Sequence, residues 1–357
     1  MNDKTLVPSP DNKPNLDYPC GDPPAPGLAR EITPGVLWLR MPMPLGLNHI
    51  NLWAVRDGDG WAAFDSGLQT SETAAAWRDL FAEGGALAQG GLTRLFVTHM
   101  HPDHVGMAGW LTRKFGCRLW MTRLEYLMCR VLAADTGREA PADGESFYRR
   151  AGWTEEAIEG YRARFGGFGK FVHALPDSFR RLRDGEFLTI GAHQWRVVVG
   201  NGHSPEHACF YSPELKLLIS GDQVLPRISS NVSVFPTEPD ADPMADWLAS
   251  LGKLRREIPD DVLVLPSHNE PFRGLHARLE HLMRSQHQAL DRLRGALAEP
   301  RRAVDVFPQL FSRPIGSEPN LLGMATGESV AHLNYLLHRG EAVMKTGDDG
   351  CAWYRMR

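Results

Sequence analysis

Leu95-Phe96-Val97-Thr98-His99-Met100-His101-Pro102-Asp103-His104-Val105-Gly106 decides how this chain is read. An apolar run with the character of a buried strand ends in three imidazoles and one carboxylate, spread over His99, His101, Asp103 and His104. A strand end followed by a turn can aim alternate side chains at one point. Imidazole nitrogen and carboxylate oxygen are the donors that borderline divalent metals such as zinc prefer. The bland alternative is a patch of surface histidines on a loop. It loses ground because the rest of the chain supplies further donors in matching places.

Four more polar residues sit just past apolar, strand-like segments. His203 follows Val197-Val198-Val199-Gly200-Asn201-Gly202, Asp222 follows Leu217-Leu218-Ile219-Ser220-Gly221, and His268 follows Val262-Leu263-Val264-Leu265-Pro266-Ser267. Asp65 ends Trp61-Ala62-Ala63-Phe64 ahead of Ser66-Gly67. Each alone reads as a satisfied turn residue. Together they suggest one rim at which several strands end.

The chain of 357 residues is long enough for a large core and a second small domain. Its 43% hydrophobic and 23% charged content is that of a globular protein. A net charge of −4 gives no global attraction to nucleic acid or anionic membrane. Cys20, Cys117, Cys129, Cys209 and Cys351 show no CxxC spacing, which argues against a disulfide framework and for a reducing compartment. The N-terminus is polar and proline-rich without a secretory h-region, and no run approaches the ~20 apolar residues of a membrane span. The expected location is cytoplasmic.

Residues 1–30 read as a loose arm. Strands are expected at 35–40, then in a hairpin of 51–55 and 61–65 about Asp57-Gly58-Asp59-Gly60. Helices are expected at 70–81 and 105–115. Residues 122–186 differ in character. Short helices at 124–133, 144–150 and 154–164 mark them as an insertion and not part of a sheet. Strands resume at 187–190, 194–199, 208–211, 215–220 and 262–265, with helices at 244–258 and 273–297. Two mixed sheets with helices outside them follow from this alternation. From about Pro300 the pattern changes to a helix at 327–339 and a hairpin of 342–345 and 352–355, the outline of a winged helix.

The whole set resembles the metallo-β-lactamase fold superfamily of dinuclear metallohydrolases. The HxHxDH signature matches His99, His101, Asp103 and His104, and the later single ligands match His203, Asp222 and His268. The resemblance implies an α/β, four-layered αββα sandwich over 31–299 with a helical insertion at 122–186 and a small winged-helix-like domain at 300–357. It implies one metal held by His99, His101 and His203, a second held by Asp103, His104 and His268, and Asp222 bridging them. Asp65 matches the Asp-Ser/Thr-Gly turn that supports a ligand. Zinc is the expected metal, with iron or manganese acceptable to the same donors. Asp103 and Asp222 are the expected catalytic carboxylates. A metal pair lowers the pKa of bound water from about 15.7 to about 7, so a hydroxide for hydrolysis exists at neutral pH.

His207 resembles the second histidine of a GHTPGH-like turn, with a structural hydrogen-bonding role as the competing reading. His173, in the insertion, reads as a surface or capping histidine. The broad-spectrum zinc β-lactamases carry cysteine where this chain has Asp222. Aspartate there looks like the glyoxalase II, lactonase, phosphodiesterase and nuclease branches. The aromatic residues of 122–186, Phe147, Tyr148, Trp153, Tyr161, Phe165, Phe168 and Phe171, offer a lid over a small apolar pocket. Arg227 and Asn231, in the loop after Asp222, offer anchors for a substrate carboxylate or phosphate, or for an oxyanion.

The expected activity is hydrolysis of a small thioester or ester, acyl-glutathione, acyl-CoA or lactone-like. A metal-dependent nuclease or RNA-processing enzyme is the alternative, because winged helices often bind nucleic acid. Charge opposes it: residues 301–357 carry seven Lys/Arg against six Asp/Glu, and the wing tip is Asp348-Asp349. The tail then reads as a packing or homodimerisation module. No membrane partner is expected.

Overall fold

The structure is a computed structural model and describes residues 14–44 and 46–357. Residues 1–13 of the expected N-terminal arm lie outside the described residues. The first sheet has seven strands in chain order. β1 (Ala29–Thr33), β2 (Val36–Pro42), β3 (His49–Asp57) and β4 (Gly60–Phe64) form an antiparallel meander. β5 (Leu92–Phe96), β6 (Arg118–Met121) and β7 (Arg180–Arg181) then add in parallel. The second sheet has the order β12-β11-β10-β9-β8. β8 (Phe187–Ile190), β9 (His193–Gly200), β10 (His207–Ser212) and β11 (Leu217–Gly221) are antiparallel neighbours, and β12 (Leu263–Pro266) runs parallel to β11.

Helices cover the outer faces. α1 (Ser71–Phe81), α2 (Pro102–Val105), α3 (Ala108–Phe115) and α4 (Arg123–Ala134) lie along the first half of the chain. α5 (Ala142–Ala151), α6 (Glu155–Arg164), α7 (Pro243–Glu257), α8 (Leu275–Ala296), α9 (Phe307–Leu310) and α10 (Pro319–His338) follow. A two-stranded sheet, β13 (Ala342–Thr346) with β14 (Ala352–Met356), ends the chain.

Three apolar clusters define the layers. Between the sheets lie Trp38, Phe64, Phe96, Trp195 and Phe210. The Phe64 and Phe96 ring centroids are 4.9 Å apart, and both rings meet Phe210 edge-on. On the outer face of the first sheet, Trp77, Leu111, Tyr126 and Cys129 bring in α1, α3 and α4. On the outer face of the second, Trp247, Leu251, Leu279 and Leu290 of α7 and α8 pack with Phe147, Trp153 and Ile158 of the insertion and with Ala331 and Leu333 of α10. This is the expected αββα stack. The C-terminal helix shares its core with α7 and α8.

The structure corrects several sequence expectations. The insertion is not wholly outside the sheets: Arg180 and Arg181 pair with Trp120 and Met121 as an edge strand. Two residues are too few to show an alternation. The helix expected over 105–115 is broken into α2 and α3 at Gly106-Met107. There a Cβ on Gly106 would lie 2.4 Å from Pro102 O, so the chain cannot carry a side chain through that corner. The last helix starts at Pro319, not Gly327, with the Glu318 carboxylate capping the amides of Asn320 and Leu321. The aromatic residues of the insertion are largely spent on packing. Phe147 and Trp153 are buried, and Tyr148 stacks on Trp153 with centroids 4.1 Å apart. Arg30 of the expected arm belongs to β1 and donates to Cys20 O.

The five cysteines are all unpaired. Among the described residues no helix is long and apolar enough to cross a membrane.

One side chain ties the two sheets together at the end away from the ligands. Asp57 accepts from both Nε and NH2 of Arg94, from Thr93 Oγ1 and from the Gly191 amide between β8 and β9. Asp57→Ala leaves these donors in a half-buried site and is expected to cost about 1–3 kcal/mol. Chemical denaturation of the variant against the parent checks this.

Candidate metal centre

The ligand candidates leave the sheets at the carboxyl ends of their strands. β4 leads into Asp65, β5 into His99–His104, β9 into His203, β11 into Asp222 and β12 into His268. Backbone bonds join the two sheets along this edge: Ala208 N–H donates to Thr98 O at 2.9 Å and Asn51 N–H to Ser267 O at 2.7 Å. Loops at the carboxyl ends of parallel strands are where α/β sheets usually place their ligands.

The seven expected ligands converge. Donor atoms of His99, His101 and His203 lie within 4.8 Å of one another, as do those of His99, His104 and Asp222 and those of Asp103, His104 and His268. Asp222 faces both halves: Oδ1 is 3.6 Å from His104 Nε2 and 3.5 Å from His268 Nε2, and Oδ2 is 3.6 Å from His203 Nε2. Asp103 Oδ2 is 3.4 Å from His268 Nε2 and 3.6 Å from His104 Nε2. These separations exceed a hydrogen bond. They match the ~3.3 Å between donors of a tetrahedral zinc with bonds of about 2.0–2.1 Å. His104 Nε2, His203 Nε2 and Asp222 Oδ1 are buried without a hydrogen-bond partner. Buried polar atoms rarely go unpaired, and these three face the same space, so the residues fit a pair of cations.

The other nitrogen of three of the rings is held. His268 Nδ1 donates to His49 O at 3.0 Å and His203 Nδ1 to Asn231 O at 2.7 Å, which turns each Nε2 toward the centre. His104 Nδ1 lies 2.8 Å from Asp65 Oδ2. Asp65 also accepts from the amide and hydroxyl of Thr98, from a backbone with φ of 62°. Asp65 thus holds a ligand ring and the end of β5 at once. His99 Nε2 and His101 Nδ1 are 2.8 Å apart and share a hydrogen bond.

Electrostatics divide the cluster. Burial, reinforced by neighbouring imidazoles, pushes His99 well below its ordinary value and His101 down to about 3, so both rings are neutral. Burial also lowers His203. For His104 and His268 burial works against the charged form, but the carboxylates win. Asp103, Asp65 and Asp222 hold His104 well above its usual range, and Asp222 and Asp103 raise His268 to about 10. Against the same burial, His104 and His268 pull Asp103 down to about 2.

His207 is placed behind the centre. Its Nε2 accepts from the Asp222 amide at 3.0 Å, and a Cβ on Gly221 (φ 52°) would lie 2.5 Å from its ring. His207 therefore fixes the turn that delivers Asp222. His173 sits on the surface side, its amide bonded to Gly106 O. Arg227 is half exposed, paired with Glu270 at 2.9 Å and 4.6 Å over the Tyr18 ring. The Asn231 amide is turned to Glu328 and Ser233, so its backbone carbonyl, not its side chain, serves the centre.

Three supporting residues escaped the sequence reading. Glu125 of α4 is buried and accepts from Met100 N at 2.9 Å, Ser204 Oγ at 2.6 Å and Glu206 N at 2.8 Å, joining the two histidine loops. Burial raises its carboxyl to about 7. Asn51 donates to Pro266 O and Asn269 O and accepts from Trp38 Nε1, bracing the His268 turn. His49 Nε2 accepts from Asn269 N. A glutamate beside Leu124 and Tyr126 on a helix looks like a solvated residue, and only tertiary contacts bury it.

A metal entering this cluster would have to displace the protons that the carboxylates favour on His104 and His268. Loading at pH 7 is therefore expected to release protons, and apparent affinity to rise with pH. Titration calorimetry in buffers of different ionisation enthalpy checks both. In the metal-free protein the sign reverses for folding. His268, raised from 6.5 to about 10, contributes stability that is full below 6.5 and lost as pH rises toward 10. Metal-free melting curves across that range should show the loss.

A family model described as the Metallo-beta-lactamase superfamily matches residues 45–268, and one described as Metallo-beta-lactamase-like, C-terminal domain matches 290–357. Among solved structures, a beta-lactamase domain protein from Burkholderia ambifaria is 40% identical with a TM-score of 0.86, covering 97% of this chain and 100% of that one. The acyl-coenzyme A thioesterase MBLAC2 of Bos taurus is 25% identical over 53% of this chain and 63% of its own length. A hydroxyacylglutathione hydrolase of Fuscovulum blasticum is 28% identical over 44% of this chain and 59% of its own length.

Proposed function

The chain belongs to the metallo-β-lactamase superfamily, whose members are hydrolases, and we propose that it is a dinuclear metal-dependent hydrolase of small thioesters or esters of the acyl-glutathione, acyl-CoA or lactone kind. The observation that carries the metal centre is the convergence of seven donors with three buried atoms left unpartnered. The substrate class is supported by the relatives named for thioester cleavage, each matched over only part of its length.

In this reading His99, His101 and His203 would hold one cation and Asp103, His104 and His268 the other, with Asp222 available to either. Zinc suits the donors best, with iron or manganese as substitutes. When bound, the pair supplies Lewis acidity and a water acidic enough to attack at neutral pH. The protein's own work is orientation. His49 O and Asn231 O fix two rings by their Nδ1–H groups, Asp65 fixes a third, and His207 fixes the Asp222 turn. Asp103 and Asp222 stay ionised at neutral pH, so each can offer an oxygen to a cation without first losing a proton. Arg227, on the loop after Asp222, is the candidate to meet a substrate carboxylate, for which it would have to share or leave its pairing with Glu270.

Elemental analysis of purified, metal-replete protein is expected to find about two ions per chain. A panel of acyl-glutathione, acyl-CoA and lactone substrates should include at least one that is cleaved. Asp103→Ala should then lower kcat/KM by about two to four powers of ten, the several kcal/mol of charge stabilisation a metal supplies. Two bound ions with no cleavage anywhere in the panel would remove the substrate class and leave the metal centre.

A further inference from the structure

One turn of α10 is bonded to the loop that serves the metal centre. Val234 N–H donates to Gly327 O at 3.0 Å, Ser233 Oγ to Met324 O at 3.4 Å, and Asn231 Nδ2 to Glu328 Oε2 at 2.8 Å. From the insertion, Trp153 Nε1 donates to Thr326 Oγ1 at 2.8 Å. The approach is close: a Cβ on Gly327 would lie 2.8 Å from Ser233 Cβ and 2.9 Å from Val234 O. The Asn231 amide is held at both ends, because Oδ1 also accepts from Ser233 Oγ at 2.5 Å. The residue so clamped is the one whose carbonyl receives His203 Nδ1–H.

Glu328 itself is only 2% exposed, and the Asn231 amide is the partner the structure gives its carboxylate. Burying a carboxyl against a single neutral donor is costly, and packing alone would be served better by leucine or methionine. Burial accordingly pushes its carboxyl up to about 8. A group retained at such a cost is expected to act on something, and the bonded path from it leads in two steps to a ligand ring.

We propose that Glu328 is a positioning residue of the metal centre: by fixing Asn231 it sets the carbonyl that orients His203, so that the C-terminal helix governs how tightly the cation of His99, His101 and His203 is held. This rests on the metal centre proposed above and is independent of the substrate.

The test uses the full chain loaded with cobalt(II) or zinc, read by chelator competition and by the visible spectrum of the cobalt form. Glu328→Ala is expected to weaken one of the two sites by about 10- to 100-fold and to alter its cobalt bands, with the other site as internal reference. Glu328→Gln keeps an oxygen that accepts from Asn231 and should retain the parent affinity. Asn231→Ala cuts the same link from the loop side and should match Glu328→Ala, and the double variant should lose no more than either single change. Parent affinities and bands in folded Glu328→Ala and Asn231→Ala would overturn the proposal. If Glu328→Ala does not fold, the part-buried Asn231→Ala decides alone. A parent chain that keeps no metal would sink the centre itself, whereas a loaded parent with unchanged variants sinks only the link to α10.

Discussion

Two rows of ligands on two separate sheets can share a cation only if the sheets keep one spacing along the edge where the rows face each other. His99, His101, Asp103 and His104 come from the first sheet, and His203, Asp222 and His268 from the second. The spacing is set by the aromatic layer of Phe64, Phe96, Trp195 and Phe210 and by the backbone bonds of Thr98 to Ala208 and Asn51 to Ser267. Donors only 3.4–3.6 Å apart tolerate little sliding. The rest of the site is bracing around that edge. Asp65, Glu125, Asn51 and His207 each touch a ligand ring or the backbone beside one, and each is buried.

Much of this was legible because the ligands follow strand ends. A buried strand is marked by its apolar run, and the first polar residues after it must emerge at its carboxyl end. His203, Asp222 and His268 each follow such a run; singly each reads as a turn residue, but as a set beside the compact spacing of His99 to His104 they named the chemistry. The hairpin about Asp57-Gly58-Asp59-Gly60 and the helices at 71–81 and 243–257 carried their own turn and capping signals.

What stayed hidden depends on contacts between distant segments. Glu125 has the local sequence of a solvent-facing helix residue, and its role appears only when Met100, Ser204 and Glu206 converge on it. Asn231 has the composition of a substrate anchor, yet its amide is claimed by a helix almost a hundred residues away. The two-residue strand β7 is shorter than any period that could announce it. The change of pattern near Pro300 suggested a small winged-helix-like domain but could not show what it packs on; α10 lies in the same apolar cluster as α7 and α8.

Gly327 has a consequence for how such proteins diverge. A helix that touches a loop at backbone distance cannot accept any larger residue without moving the loop, and the loop holds a ligand. The two segments are obliged to change together. A chimera that exchanged only the stretch after residue 300 with a relative would set a helix fitted to another loop against Ser233 and Val234 of this one.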